Sequence, residues 1–426
     1  MKVFAAMLAI VAGVSVLASG GLPAVAAELP RAKPEAVGFS PERLARLESR
    51  LRADIEKQVI PGAVLLIARQ GKVAYFEAMG LQNAETKTAM RRDSIFRIYS
   101  MTKPITSVAA MMLAEEGRLG LGDPVARTIP AFAKMQLGVE KPGADGKPVL
   151  EMVPSPRPMT VQDLLRHTSG LTYGFFGDTA VKKFWRESGS LGGDYTNAEF
   201  AERLAKLPLA YTPGTTWDYS YSTDILGRVI EVTEDKPLGA VLQARLLDPL
   251  GMKDTGFYVT DAERQARIAE PLANDRMIGI GVEFSEPRQK KQWESGGGGL
   301  NGTAMDYARF LQMLLNGGEL DGTRYLGPHT VAYMTADHMG TVVKPGPYYL
   351  PGPGYGFGLG FGVRTAAGLS ANPGSPGDYY WGGAGGTYFW VDPEQQMFVV
   401  FMMQSAKMRV HYRGLLRDMV YAALVK

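Results

Sequence analysis

The two ends of the chain carry the same pattern, and that pattern narrows the folds open to it. Near the start, Ser40-Pro41-Glu42 supplies an N-cap, a first-turn proline and an early acid. Leu44, Leu47, Leu51 and Ile55 follow at helical spacing, so one helix face is apolar. Two β-rich runs come next, GAVLLIARQ and KVAYFEAMG, broken at Gln70-Gly71, which reads as a hairpin. Near the end, TYFWVDPEQQMFVVFMMQ repeats the hairpin pattern with Asp392-Pro393 in its turn, and a helical segment from about Val410 to Leu424 closes the chain. The middle is mostly helical and loop-like, with no repeat of fixed period. A length of 426 residues exceeds what one small core supports. The expectation is therefore α+β: one antiparallel sheet built from N- and C-terminal strands and flanked by helices, with a mainly helical lobe inserted. The α/β lobe would take about 34–95 and 331–426, and the helical lobe about 96–330.

After Lys2 no charged residue occurs until Glu28. A positive start, an apolar run to about Ala18 and an Ala-Val-Ala-Ala end read as a signal peptide over residues 1–27. The Gly20-Gly21 and Pro23 positions argue against the alternative, an uncleaved membrane anchor. Residues 28–426 would then form the functional domain of a periplasmic or secreted protein, with no stable membrane partner once the leader is cut. The chain has no cysteine, which excludes disulfides, thiolate metal sites and a cysteine nucleophile. Lys and Arg number 46 against 43 Asp and Glu, for a formal charge of +3. Without a dense basic run that balance implies no nucleic-acid partner.

The sequence lacks G-x-S-x-G, H-E-x-x-H, Walker A and G-x-G-x-x-G patterns. Its four histidines, His167, His329, His338 and His411, are scattered singly, so no metal site is expected, and His167 reads as a loop-holding residue. The strongest positive signal is IFRIYSMTKPITSVAAMMLAEEGRLGL, where Ser100 and Lys103 stand three apart as an apolar run becomes a helix. At that spacing they share a helix face. A serine hydroxyl needs a base, and a buried lysine one turn away can serve when neutral. In PGTTWDYSYSTDILGRVIEV, Tyr219 falls just before another helix and could relay protons if it faces that pair. In YYWGGAGGTYFWVDP, Trp381-Gly382-Gly383-Ala384 is expected to begin a β-strand whose N–H completes an oxyanion hole with that of Ser100. Glycine concentrates in 296–302, 352–362 and 382–386, two of which should lie beside the site.

These groups, in this order, resemble the serine β-lactamase and penicillin-binding-protein superfamily, the class C β-lactamase branch in particular, and most of all the family VIII carboxylesterases. The resemblance runs from about Pro34 to the C-terminus and includes LLRHTSGL, PGTTWDYS, GGGGLNGTAMDYARFLQMLLNGG and WGGAGGTYFWVDP. It implies that Ser100 is the acyl-accepting nucleophile, Lys103 its base and Tyr219 the relay to the leaving group. Two departures favour esters over lactams. The class C Y-x-N is here Tyr219-Ser220-Tyr221, and K-T-G is here Trp381-Gly382-Gly383. Both changes remove lactam anchors and leave the nucleophile intact.

The expected activity is hydrolysis of short- to medium-chain carboxylic esters through an acyl-enzyme on Ser100, without metal or organic cofactor. Tyr221, Trp381 and Trp390 suggest an apolar pocket, with Trp381, Gly382, Gly383, Ala384 and Tyr221 as oxyanion or substrate positions. The partner is a small-molecule ester, and the shared acylation chemistry also implies weak β-lactam binding. The rival readings are a β-lactamase, a D-amino-acid peptidase or an amide hydrolase using the same three residues. A non-catalytic acyl-binding receptor is the rival from another class.

Overall fold

The structure is a computed structural model describing residues 28–426 except 144–147, 190 and 280–281. The expected leader at 1–27 lies outside the described residues. Helix α1 (Pro41–Glu56) starts as its sequence predicts: the Ser40 hydroxyl accepts from the Arg43 N–H, and Leu44, Leu47 and Leu51 are buried. Strands β1 (Gly62–Arg69) and β2 (Lys72–Asn83) form the first hairpin. Gln70 and Gly71 both take positive φ, 53° and 73°, the turn whose twist matches the flanking strands.

A short strand β3 (Thr88–Ala89) follows, and the chain then leaves the sheet. It returns as β4 (Tyr355–Phe357), β5 (Gly362–Arg364), β6 (Tyr379–Gly382), β7 (Tyr388–Asp392) and β8 (Met397–Met403). These strands make one eight-stranded antiparallel sheet in the order β4-β5-β6-β7-β8-β1-β2-β3. The two ends meet at its centre, where β1 runs against β8 from Ala63 opposite Met403 to Arg69 opposite Met397.

Both faces of the central strands are buried, which is why β1 and β8 read as unbroken apolar runs rather than alternations. Ala63, Leu65, Ile67, Val399 and Phe401 pack against α1 and the closing helix α5 (Arg409–Ala423). Val64, Leu66, Phe398, Val400 and Met402 face the inserted region. Three helices of that region matter for the site: α2 (Thr102–Glu115), α3 (Ser222–Glu234) and α4 (Ala304–Leu315). Helix α4 falls within the span expected for the helical lobe, yet it lies directly on β1 and β8.

One local expectation is corrected. Trp381-Gly382 does not begin a strand but ends β6, and Gly383 to Thr387 make the turn into β7. Gly383 N–H donates to the Thr387 carbonyl at 2.8 Å, closing that turn. Gly386, at φ 110°, holds a backbone conformation that side chains disfavour.

Candidate active site

Ser100 sits in a one-turn 3-10 segment, Tyr99–Met101, that runs straight into α2. The residue before it, Tyr99, has φ 44°, a conformation that costs an aromatic L-residue about 1–2 kcal/mol. Its ring is pinned on two sides. The Ser285 N–H donates to its hydroxyl at 2.9 Å, and Phe284 meets it edge-on at 5.8 Å. The turn this forces leaves Ser100 half-exposed while its neighbours Tyr99 and Met101 are buried.

Lys103, in the first turn of α2, is only 1% exposed. Its Nζ lies 3.3 Å from Ser100 Oγ, 3.3 Å from the Tyr173 hydroxyl and 2.6 Å from the Gly297 carbonyl. It also stands 4.5 Å from the centre of the Tyr219 ring. The spacing read from the sequence therefore places the two side chains in contact, and Tyr219 joins them from just ahead of α3. The Trp381 indole N–H donates to the Tyr219 hydroxyl at 3.2 Å.

Beneath the lysine is a buried carboxylate. Asp224, in the first turn of α3, accepts from Ser295 Oγ at 2.5 Å and from Gly297 N–H at 3.2 Å. Gly297 thus takes the Asp224 bond on one side of its peptide chain and the Lys103 bond on the other. Burial pushes the Asp224 carboxyl above its usual range, against the opposing pull of the Lys103 charge. Burial raises the Tyr173 phenol further, and Asp224 adds to the effect.

His167 is 1% exposed and has φ 57°. Its Nδ1 lies 3.3 Å from Ser220 Oγ, and its ring packs on Tyr219 at 4.9 Å. Burial first and the Lys103 charge second hold it well below the ordinary histidine pKa, so it is neutral. It braces the loop that carries Tyr219.

A cavity of about 540 Å³ opens over Ser100. Of the residues expected at the site, Ser100, Tyr219, Tyr221, Trp381, Gly382 and Ala384 line it. Gly383 stands behind the lining: a Cβ there would come 2.5 Å from the Ile98 carbonyl, so its bare backbone lets the turn lie against the chain leading to Ser100. The Ala384 amide, at the tip of that turn, makes no hydrogen bond among the described residues.

Trp390 is a correction: it is fully buried in the core under α1 and α5, on the face of the sheet away from the cavity. Phe175, Phe176 and Trp293 supply the further aromatic walls instead. Two of the glycine-rich stretches, 296–302 and 382–386, border the cavity, as expected. Tyr173 and Asp224 are additions that sequence reasoning missed. The first ends the LLRHTSGLTY stretch around His167; an acid in a helix's first turn, as at Asp224, is too ordinary to signal a site. No group of three or more His, Asp or Glu suited to a metal ion occurs among the described residues.

The family model described as Beta-lactamase matches residues 45–421. Esterase EstB of Burkholderia gladioli is 32% identical over 407 residues, 89% of this chain and 95% of that protein. Among solved structures, EstCE1, described as a hydrolase with promiscuous acyltransferase activity, superposes with a TM-score of 0.74. It is 31% identical and the match covers 89% of this chain and 98% of EstCE1. Simvastatin synthase (LovD) of Aspergillus terreus, at 22% identity, shares the fold with a TM-score of 0.71 over 90% of this chain and 99% of its own. The chain belongs to the Beta-lactamase family, as a serine hydrolase of the β-lactamase and penicillin-binding-protein superfamily.

Proposed function

We propose that the protein hydrolyses short- to medium-chain carboxylic esters, with Ser100 as nucleophile, Lys103 as its base and Tyr219 as the proton relay. The observation that carries this reading is the contact of Lys103 Nζ with Ser100 Oγ at the floor of an aromatic-walled cavity. The Gly297 carbonyl and the Tyr173 hydroxyl hold the Lys103 amine against Ser100, where it can meet the Ser100 proton. Ser100 Oγ attacks the ester carbonyl as that proton moves to Lys103. The amides of Ser100 and Ala384 receive the tetrahedral oxyanion.

Collapse of the intermediate expels the alcohol, protonated through Tyr219, and leaves the acyl group on Ser100. Water, deprotonated by the same pair, then releases the acid. Tyr173 is not the relay in this reading. Burial raises its phenol well above the ordinary value, so it stays protonated and positions the lysine.

The aromatic walls support an apolar acyl chain, and the ester-acting names of similar proteins, EstB among them, point the same way. A second reading has an alcohol replace water in the last step, giving acyl transfer. It is favoured by the promiscuous acyltransferase activity ascribed to EstCE1. Purified protein should hydrolyse p-nitrophenyl butyrate, and Ser100→Ala should reduce the rate to the uncatalysed level. Survival of activity in that variant, or a large preference for nitrocefin over simple esters, defeats the assignment. Added 1-butanol should divert part of the acyl group into butyl ester if transfer competes with hydrolysis. Export to the periplasm or beyond is also part of the proposal, supported by the sequence of residues 1–27. No helix among the described residues is long and apolar enough to cross a membrane.

A further inference from the structure

We propose that Asp218, with Lys182 and Thr172 bound to it, is a positioning residue for the reaction: it ties together the two backbone segments that bring Tyr173 and Tyr219 to Lys103. The inference rests on the esterase reading above and adds to it the group that holds the proton-transfer residues in place.

The starting observation is a buried ion pair that the mechanism leaves unused. Lys182, in the helix Ala180–Glu187, is 1% exposed, and Asp218 is 3% exposed. Lys182 Nζ donates to Asp218 Oδ1 at 2.9 Å, and the Thr172 hydroxyl donates to Oδ2 at 2.6 Å. The Asp218 N–H donates to the His167 carbonyl at 3.0 Å. Thr172 immediately precedes Tyr173, and Asp218 immediately precedes Tyr219. One carboxylate therefore cross-links the chain a single residue before each phenol. The two rings meet edge to face at 5.2 Å, and both flank Lys103. The Tyr173 hydroxyl is 3.3 Å from Nζ, and the Tyr219 ring centre is 4.5 Å from it. Asp218, Lys182 and Thr172 stand outside the cavity lining, so their effect on substrate passes through the tyrosines.

Stability alone does not account for charges in this place. Burial raises the Asp218 carboxyl, and the Lys182 charge and the two side-chain hydrogen bonds offset that only in part. A buried pair of opposite charges is often no more stabilising than apolar side chains of similar volume, because both ions lose their water. What the carboxylate supplies, and an apolar side chain does not, is direction. Its two oxygens accept from donors on different segments, and each bond fixes an angle as well as a distance.

Lys182 extends the tie to the cavity wall. Phe175 and Phe176, which line the cavity, lie on the stretch between Thr172 and Lys182, so both ends of that stretch are fastened to Asp218. The Tyr348 ring covers the pair, its centre 5.6 Å from Lys182 Nζ. It packs on Gly177, where a Cβ would come 2.5 Å from its Cε2.

Substitutions at the three positions, assayed on p-nitrophenyl butyrate alongside thermal unfolding, test this. Lys182→Met leaves a buried carboxylate without its cation and should unfold at a lower temperature. Adding Asp218→Leu removes both charges and should regain most of that stability. The double variant should nonetheless keep a kcat about tenfold below the native enzyme, with KM little changed. Thr172→Val keeps the ion pair, deletes one donor and should lower kcat about fivefold. Placed in the double variant it should lower kcat no further, because the bond it removes is already gone. The assignment is disproved if the double variant regains native kcat together with its stability, or if Thr172→Val leaves kcat unchanged. Should the double variant not fold, Thr172→Val decides alone. Those results leave the esterase reading standing, whereas a native protein inactive on p-nitrophenyl butyrate removes both.

Discussion

At the residue scale, the polar groups of the site are held in place by defined neighbours. Lys103 has Ser100 on one side and Tyr173 and Gly297 on the others, which holds its amine in place. Trp381 does the same for Tyr219 with a single indole N–H. Trp381→Phe keeps the aromatic wall and deletes that donor. A lost hydrogen bond of about 1 kcal/mol predicts a fall in kcat of about fivefold, measurable on p-nitrophenyl butyrate. His167 gives a prediction about stability. Folded, it stays neutral far below the ordinary histidine pKa, whereas unfolded it protonates near about 6.5. The unfolded chain therefore binds the extra proton below that pH, and stability is lost as pH falls through it, by up to about 1.4 kcal/mol per pH unit. Asp306 acts in the opposite sense. Burial raises its carboxyl to about 6, so the folded state binds its proton first and gains stability as pH drops from there towards the ordinary carboxyl value. The two effects offset one another in the native protein. Comparing urea unfolding of His167→Gln with the native protein at pH 7 and pH 5 isolates the first. The gap between them should shrink at pH 5.

At the scale of elements, the turn between β6 and β7 is where fold and chemistry share the same atoms. It touches the chain before Ser100 through Gly383 and through Thr387, whose hydroxyl donates to the Ile98 carbonyl at 3.2 Å. Gly383→Ala puts a methyl against that carbonyl and against the Thr387 hydroxyl that bonds to it. It should cost about 1–3 kcal/mol in thermal unfolding and, by moving the Ala384 amide, reduce kcat more than KM. At the other end of the sheet, Ser40→Ala removes an N-cap and should cost about 1 kcal/mol with activity unchanged. The elements legible in the sequence are those whose pattern is local. The apolar spacing of α1 and the runs of β1, β2, β7 and β8 need nothing from elsewhere in the chain. The three-residue strands β4 and β5 have no such pattern, because their pairing is set by the neighbouring strands. Trp390 departs from expectation for a related reason. In the register of β6 and β7 it stands opposite Tyr380, while Trp381 stands opposite Phe389, so the two tryptophans point to opposite faces. Which face holds the site depends on α2, not on either strand. The contact of Ser100 with Lys103 is legible because the S-x-x-K spacing and its helix start are local, whereas Tyr219 is singled out only by its own PGTTWDYS stretch and the resemblance that includes it; Tyr173, 70 residues from Lys103, carries no such mark.

For the whole molecule, the two apolar layers on either side of the sheet are separate clusters, one under α1 and α5 and one shared with the inserted helices. Removing α5 by ending the chain at Ala406 would strip Tyr412, Leu416, Val420 and Ala423 from the first layer and uncover β1 and β8. The expected result is an insoluble or unfolded product, seen as loss of soluble protein and of thermal unfolding cooperativity, although Ser100, Lys103 and Tyr219 are all retained. The same seam fixes the order in which the protein can be made. Arg69, at the end of β1, donates to the carbonyl of Gln395, 326 residues further on. A growing chain therefore carries one of its most apolar strands with a bare edge until β8 has been made. A chaperone that guards β1 over that interval should therefore matter more to yield than any residue of the active site.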